Sequence, residues 1–182
     1  MKDMRCAVVY SSRTGNTRMV AEAVLQALPQ GTGIYPVAEA PAPEDFDFIA
    51  LGFWADKGGV DSAMQKYMER VAGKNLLLGL FGTMGARPES GHGRDIMADA
   101  RARVPGNSVL CEFLCMGKID PKVLQMMETM RAKGDTIHPM TPERAATIAE
   151  ATKHPDAADL AAARECFTAM IRKAHAAEPA AD

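Results

Sequence analysis

The chain has 182 residues, 47% apolar and 24% charged, a balance that excludes wholesale disorder and fits one domain with room for an elaboration. Lys plus Arg count 21 against 23 Asp plus Glu, a formal charge of −2, which argues against a dedicated nucleic-acid binder, and no apolar run approaches the roughly 18 residues of a membrane helix. Four scattered cysteines (Cys6, Cys111, Cys115, Cys166) do not make a disulfide scaffold, and MKDMRCAVVYSS carries no signal-peptide pattern, so a cytoplasmic chain with reduced thiols and no membrane insertion is expected.

Arg5–Tyr10 is a short apolar run rich in β-branched residues and is predicted as a buried strand. Gly15–Leu28 places Val20, Ala23, Val24, Ala27 and Leu28 on one helical face. Residues 33–37 are a weaker strand, limited to a sheet edge by Pro36. Phe46–Phe53, Asn75–Gly82 and Ser108–Leu114 are three further strands. Between them, Val60, Met64, Tyr67, Met68 and Val71 form one helical stripe, and Ile96, Met97, Ala100 and Val104 outline another. Alternation of strand and helix predicts an open parallel α/β sheet. After residue 115 only helical signals remain. Asp120-Pro121 and Thr141-Pro142 are start signals, and Asp156–His175 is the most regular helix. The expected organisation is one domain over residues 1–175, with a helical elaboration at about 116–155 and a disordered tail at 176–182. Within the elaboration, Met126, Met127 and Met130 form a stripe read first as core filling and second as a partner surface.

Tyr10-Ser11-Ser12-Arg13-Thr14-Gly15-Asn16-Thr17 falls where the first strand ends and the first helix begins. A helix start offers free N–H groups and a positive dipole end, which suit an anion. Ser12, Thr14, Asn16 and Thr17 add neutral donors, Gly15 permits close approach, and Arg13 is the only charge. That set suits a phosphate monoester whose charge is met by dipoles. The chain contains neither a GxxxxGK[ST] loop nor, at this turn, a GxGxxG fingerprint. On residue types alone, a well-capped Ser/Thr-rich turn stays open as an alternative.

Ser12–Thr17 (SRTGNT) resembles the phosphate loop of the flavodoxin family, [ST]-x-T-G-N-T, in its place after a strand and before a helix. The resemblance implies a three-layer α/β fold, five parallel strands in order 2-1-3-4-5, with FMN at the switch point; flavodoxin is itself the standard example of that order. It implies two ring loops, Gly52–Asp61 and Gly82–Arg94. From these it assigns Phe53, Trp54, Ala55, Gly58 and Gly59, and Thr83, Met84, Gly85, Gly91 and His92, to the cofactor, alongside Ser12, Arg13, Thr14, Gly15, Asn16 and Thr17. Trp54, the sole tryptophan, is the expected stacking partner of the flavin, and Gly58-Gly59 the peptide free to turn beside it. The second loop departs from the family. It has no aromatic residue, Met84 and His92 being the candidates there, so the second ring face is expected to be open. GFWADKGG, GTMGARPESGHG and FLCMGKID further resemble flavodoxin-like proteins encoded beside bacterial bilirubin reductases.

Cys111 and Cys115 are spaced to share one strand face and are expected to be buried; no second pair completes a metal site. The resulting function is an FMN-binding, flavodoxin-type redox protein that carries electrons between a reductase and an acceptor. The alternatives are an FMN-dependent reductase acting on a quinone, a tetrapyrrole or another flat substrate, and a flavin-free interaction domain on the same fold. The expected partner is a redox protein or a small flat electron acceptor.

Overall fold

Both faces of the sheet are covered by helices, which is why its strands are written as nearly continuous apolar runs rather than as alternating ones. The computed structural model describes residues 4–133 and 140–176, so the expected tail from 177 onward lies outside the described residues. The strands are β1 (Cys6–Tyr10), β2 (Gly33–Pro36), β3 (Phe48–Asp56), β4 (Gly59–Val60), β5 (Leu77–Met84) and β6 (Ser108–Met116). Five of them are parallel, in the order β2-β1-β3-β5-β6. Counted without β4, this is the expected order 2-1-3-4-5. The sixth strand, β4, folds back antiparallel on the end of β3. Pro36 ends β2 at the sheet edge, where its missing N–H breaks no ladder.

Helices α1 (Asn16–Leu25) and α6 (Ala157–Ala176) cover one face, and α2 (Ser62–Val71) and α3 (Gly91–Ala102) the other. Neighbouring residues of one strand feed opposite cores. Val8 joins Val20, Val24, Phe81 and Phe167. Val9 joins Ile49, Leu51, Met64, Met68, Leu80 and Ile96. Phe167 of α6 meets Phe81 edge-on, with centroids 6.0 Å apart, a favoured aromatic geometry. It fits because β5 carries Gly79 beneath it; a β-carbon there would lie 2.4 Å from the Phe167 ring.

Between β6 and α6 stand two more helices, α4 (Pro121–Ala132) and α5 (Pro142–Ala151). These form the expected helical segment before the last helix. Helix α4 buries no residue and α5 buries only Ala151. Met126 and Met130 are 54% and 46% exposed, which corrects the core-filling reading of that stripe. Helical spacing arranges the methionines on α4, but only Met127, which the Arg144 guanidinium of α5 reaches at 3.9 Å, is partly covered among the described residues. Cys115 is buried as expected, whereas Cys111 is only half-buried.

Helix α6 is started by a reciprocal pair. Asp159 N donates to Asp156 Oδ1 and Asp156 N to Asp159 Oδ2, each at 2.9 Å, a capping box built from two aspartates. Asp159 also holds His154 Nδ1 at 2.5 Å. That hydrogen bond, more than the nearby charges, raises the His154 pKa above its ordinary 6.5. A raised folded-state pKa stabilises the fold fully below the ordinary value, and the contribution is lost as pH rises through the shifted one. Denaturant unfolding of wild type and His154→Gln should therefore diverge most at pH about 6 and converge at pH about 9; a stability difference that does not change with pH would contradict this.

Candidate functional site

The turn from β1 to α1 is pinned to the sheet first. Ser11 N donates to the carbonyl of Gly52, in the middle of β3, at 2.8 Å. Gly15 then takes φ +91°, a left-handed conformation that a side chain adopts only under strain. It is the residue before α1 and, as a glycine, offers the helix no side-chain cap of its own. A β-carbon on Gly15 would meet no atom within 4 Å, so the space beside the helix start is open; of the first-turn N–H groups, that of Arg18 is taken by Ser12 and the dipole end stays free to meet an anion. Around it the hydroxyls are already engaged as acceptors. Ser12 Oγ accepts from Arg18 N at 3.3 Å, and Thr14 Oγ1 accepts from Asn16 Nδ2 at 3.0 Å. Each hydroxyl keeps its own proton to donate elsewhere.

Asn16 and Thr17 mainly tie the loop to its neighbours. Asn16 Nδ2 donates its other hydrogen to the Lys118 carbonyl at 2.8 Å, and Thr17 Oγ1 lies 3.0 Å from Thr83 Oγ1, both hydroxyls buried. Gly117 makes room for this meeting: a β-carbon there would sit 2.9 Å from Asn16 Nδ2 and 3.2 Å from Thr83. Arg13 bonds Asp120, the N-cap of α4, at 2.9 Å. Its guanidinium also lies over Trp54, 5.6 Å from the ring centroid, in cation–π range. Trp54 itself is half-buried at the end of β3, opposite Thr83 of β5.

The site has a centre that sequence reasoning missed. Asp61 is 1% exposed. Its Oδ1 accepts from Ser11 Oγ at 2.7 Å and from Ala63 N and Met64 N at 3.1 Å, and its Oδ2 accepts from Trp54 N at 3.3 Å. It caps α2 and joins that helix to the phosphate loop and the tryptophan. An Asp just before a helical stripe is an N-cap signal, so the capping was readable from the sequence; the bonds to Ser11 and Trp54 were not.

The two expected ring loops are more ordered than loops. Strand β3 runs on through Phe53, Trp54 and Ala55 to Asp56, and the chain returns as β4. The turn residues Lys57 and Gly58 both have positive φ, 48° and 86°, the type I′ geometry of a tight hairpin. Asp99 of α3 fixes β4 by accepting from Val60 N at 3.0 Å and bonding Arg103 at 2.8 Å, and the Arg103 guanidinium holds the Asp99 carboxyl below its usual range. In the second loop, β5 continues to Met84, and Gly91 and His92 already belong to the first turn of α3, capped by Ser90. Phe53, Thr83 and Met84 are buried, and Phe53 and Met84 belong to the core. Gly85 packs on Ile119. His92 is exposed, with its ring 3.9 Å from where a Gly58 β-carbon would be. The fold thus gathers Ser12–Thr17, Trp54 and Thr83 in one place, and the hairpin with Gly58, Gly59 and His92 beside them.

A flavodoxin-domain model matches residues 7–168 of this chain. The flavodoxin-like domain-containing protein BilS of Clostridioides difficile (strain CD3) is 29% identical over 177 residues, covering 94% of this chain and 98% of its own. BilS of Clostridium symbiosum (strain WAL-14163) is 30% identical over 185 residues, covering 87% and 92%. Among solved structures, a flavoprotein of Lactobacillus acidophilus NCFM in complex with FMN shares the fold, with a TM-score of 0.51 and 10% identity over 62% of this chain and 93% of that one. The strand order and the domain match over most of the length lead to one assignment: the chain belongs to the flavodoxin-domain family.

Proposed function

We propose that this chain binds FMN at the β1–α1 turn and carries electrons, as flavodoxins do, between a reductase and an acceptor. The observation that carries this reading is the start of α1 behind a left-handed Gly15 that supplies no side-chain cap, with open space beside Gly15. A phosphate monoester fits that place. The first-turn N–H groups other than that of Arg18, which Ser12 takes, would hold it together with the hydroxyls of Ser12 and Thr14, whose acceptor roles are taken within the loop. Asn16, Thr17 and Thr83 keep the loop in shape. Arg13 is engaged by Asp120, so dipoles and neutral donors meet the phosphate charge. Trp54 would take one face of the ring, with Ala55, Gly58 and Gly59 along its edge; Phe53, Met84, Gly85 and Gly91 support from below and beside it. FMN, when bound, supplies the electron-transfer chemistry; the protein's part is to position and tune it.

The partner is a redox protein or a small flat acceptor. No described helix is long and apolar enough to cross a membrane, and four free thiols suit a cytoplasmic place of work. One observation favours a second reading, a reductase acting directly on a flat substrate. Met84 turns into the core and the second loop has no aromatic residue, which leaves His92 as that loop's one ring side chain beside the hairpin.

Two measurements test the FMN site. A hydrogen bond to a charged group is worth about 1.5–3 kcal/mol, or about 10- to 150-fold in affinity. Thr14→Ala should raise the Kd for FMN by at least about 10-fold and leave that for riboflavin, which lacks the phosphate, unchanged. Equal effects on both ligands, or none on either, would contradict the assignment. As Trp54 is the sole tryptophan, its emission reports on its own surroundings. FMN should quench it strongly, and emission should return when the flavin is removed; emission indifferent to FMN would take Trp54 out of the site.

A further inference from the structure

Away from the phosphate loop, two cysteines and a methionine line the contact between the edge strand and the last helix. Cys111 lies on β6, and Cys166 and Met170 lie one turn apart on α6. Cys166 Sγ donates to the main-chain oxygen of Glu112, the residue after Cys111, at 3.5 Å. Cys111 Sγ approaches Met170 Sδ at 3.6 Å. Helix and strand come this close because Phe167, fully buried, seats α6 over Gly79 of the neighbouring strand, where the Cys111 sulfur also passes. Cys111 and Cys166 are half-buried and reachable, whereas Cys6 and Cys115 are buried. The two thiols also differ in acidity. Interaction with the Cys111 side chain is the main influence holding the Cys166 thiol below its ordinary value, and the same interaction, with burial, pushes Cys111 up. The thiolate is the attacking form in disulfide exchange.

We propose that Cys111 and Cys166 are a reactive dithiol that a low-molecular-weight disulfide converts to an intramolecular disulfide, stapling α6 to β6. The Cys166 thiolate attacks the reagent disulfide and releases one small thiol. The Cys111 sulfur, giving up its proton, then attacks Cys166 in the mixed disulfide and releases the second. Two protein thiols are oxidised and one small disulfide is reduced. The bond closes a long loop through α4 and α5, which restricts the unfolded chain and stabilises the packed helix. The site is independent of the flavin reading.

The test treats the reduced, full-length chain with oxidised glutathione, alkylates the remaining thiols and maps the peptides without reduction. Two of the four thiols should disappear, a peptide linking Cys111 to Cys166 should form, and dithiothreitol should restore both. A Cys6→Ser/Cys115→Ser chain should behave as wild type, and Cys166→Ser should form no linked peptide. Retention of all four thiols, or glutathione left on Cys111 and Cys166 separately, would overturn the proposal. The oxidised chain should also melt at a higher temperature than the reduced one; equal Tm values would overturn the stapling role.

Discussion

The Asp61 carboxylate is withdrawn from water, and its hydrogen bonds settle where the other parts of the site stand. Burial of a carboxylate costs several kcal/mol unless hydrogen bonds replace its hydration. Here the replacements come from three separate pieces of chain: the Ser11 hydroxyl at the start of the phosphate loop, the Trp54 N–H at the end of β3, and two N–H groups of α2. Moving any one piece would leave part of that carboxylate unpaired. The distance between the phosphate turn and the tryptophan is therefore fixed by a buried polar network rather than by loop packing. The Ser11 N to Gly52 O bond adds a second link between the end of β1 and β3.

A second set of contacts closes the other side. Asn16 reaches Lys118, Thr17 reaches Thr83, and Arg13 reaches Asp120. All three join the phosphate loop to the C-terminal ends of β5 and β6 or to the start of α4. The helical elaboration therefore touches the site through residues 118–120, while α4 itself keeps Met126 and Met130 exposed. The loop's one cation is taken by Asp120 and Trp54, which leaves helix dipole and hydroxyls as the recognition chemistry.

Much of this was legible in the sequence because parallel strands buried on both faces are written as unbroken apolar runs. FIALGF and NLLLGLFG named their strands directly, and Pro36 named an edge. Strand ends were less visible. The apolar run predicts a strand that stops at Phe53, but Trp54 continues the ladder opposite Thr83 and Ala55 pairs with Val60. Pairing with a neighbour, which is not local information, extended the strand. The phosphate loop was legible by residue type and place, yet Asn16 turned out to brace the loop through a carbonyl 102 residues away. The methionine stripe shows the converse limit: period gives a face, and only the fold says whether anything covers it. The meeting of Cys111 with Cys166 had no signal in spacing at all.

The central claim is that the β1–α1 turn holds a flavin mononucleotide. The most direct measurement is the visible absorption spectrum of the purified chain, followed by identification and counting of the flavin released on denaturation. A yellow protein that releases one FMN per chain is the expected result. A colourless protein that takes up no added FMN, or a yellow one that releases FAD, would contradict it.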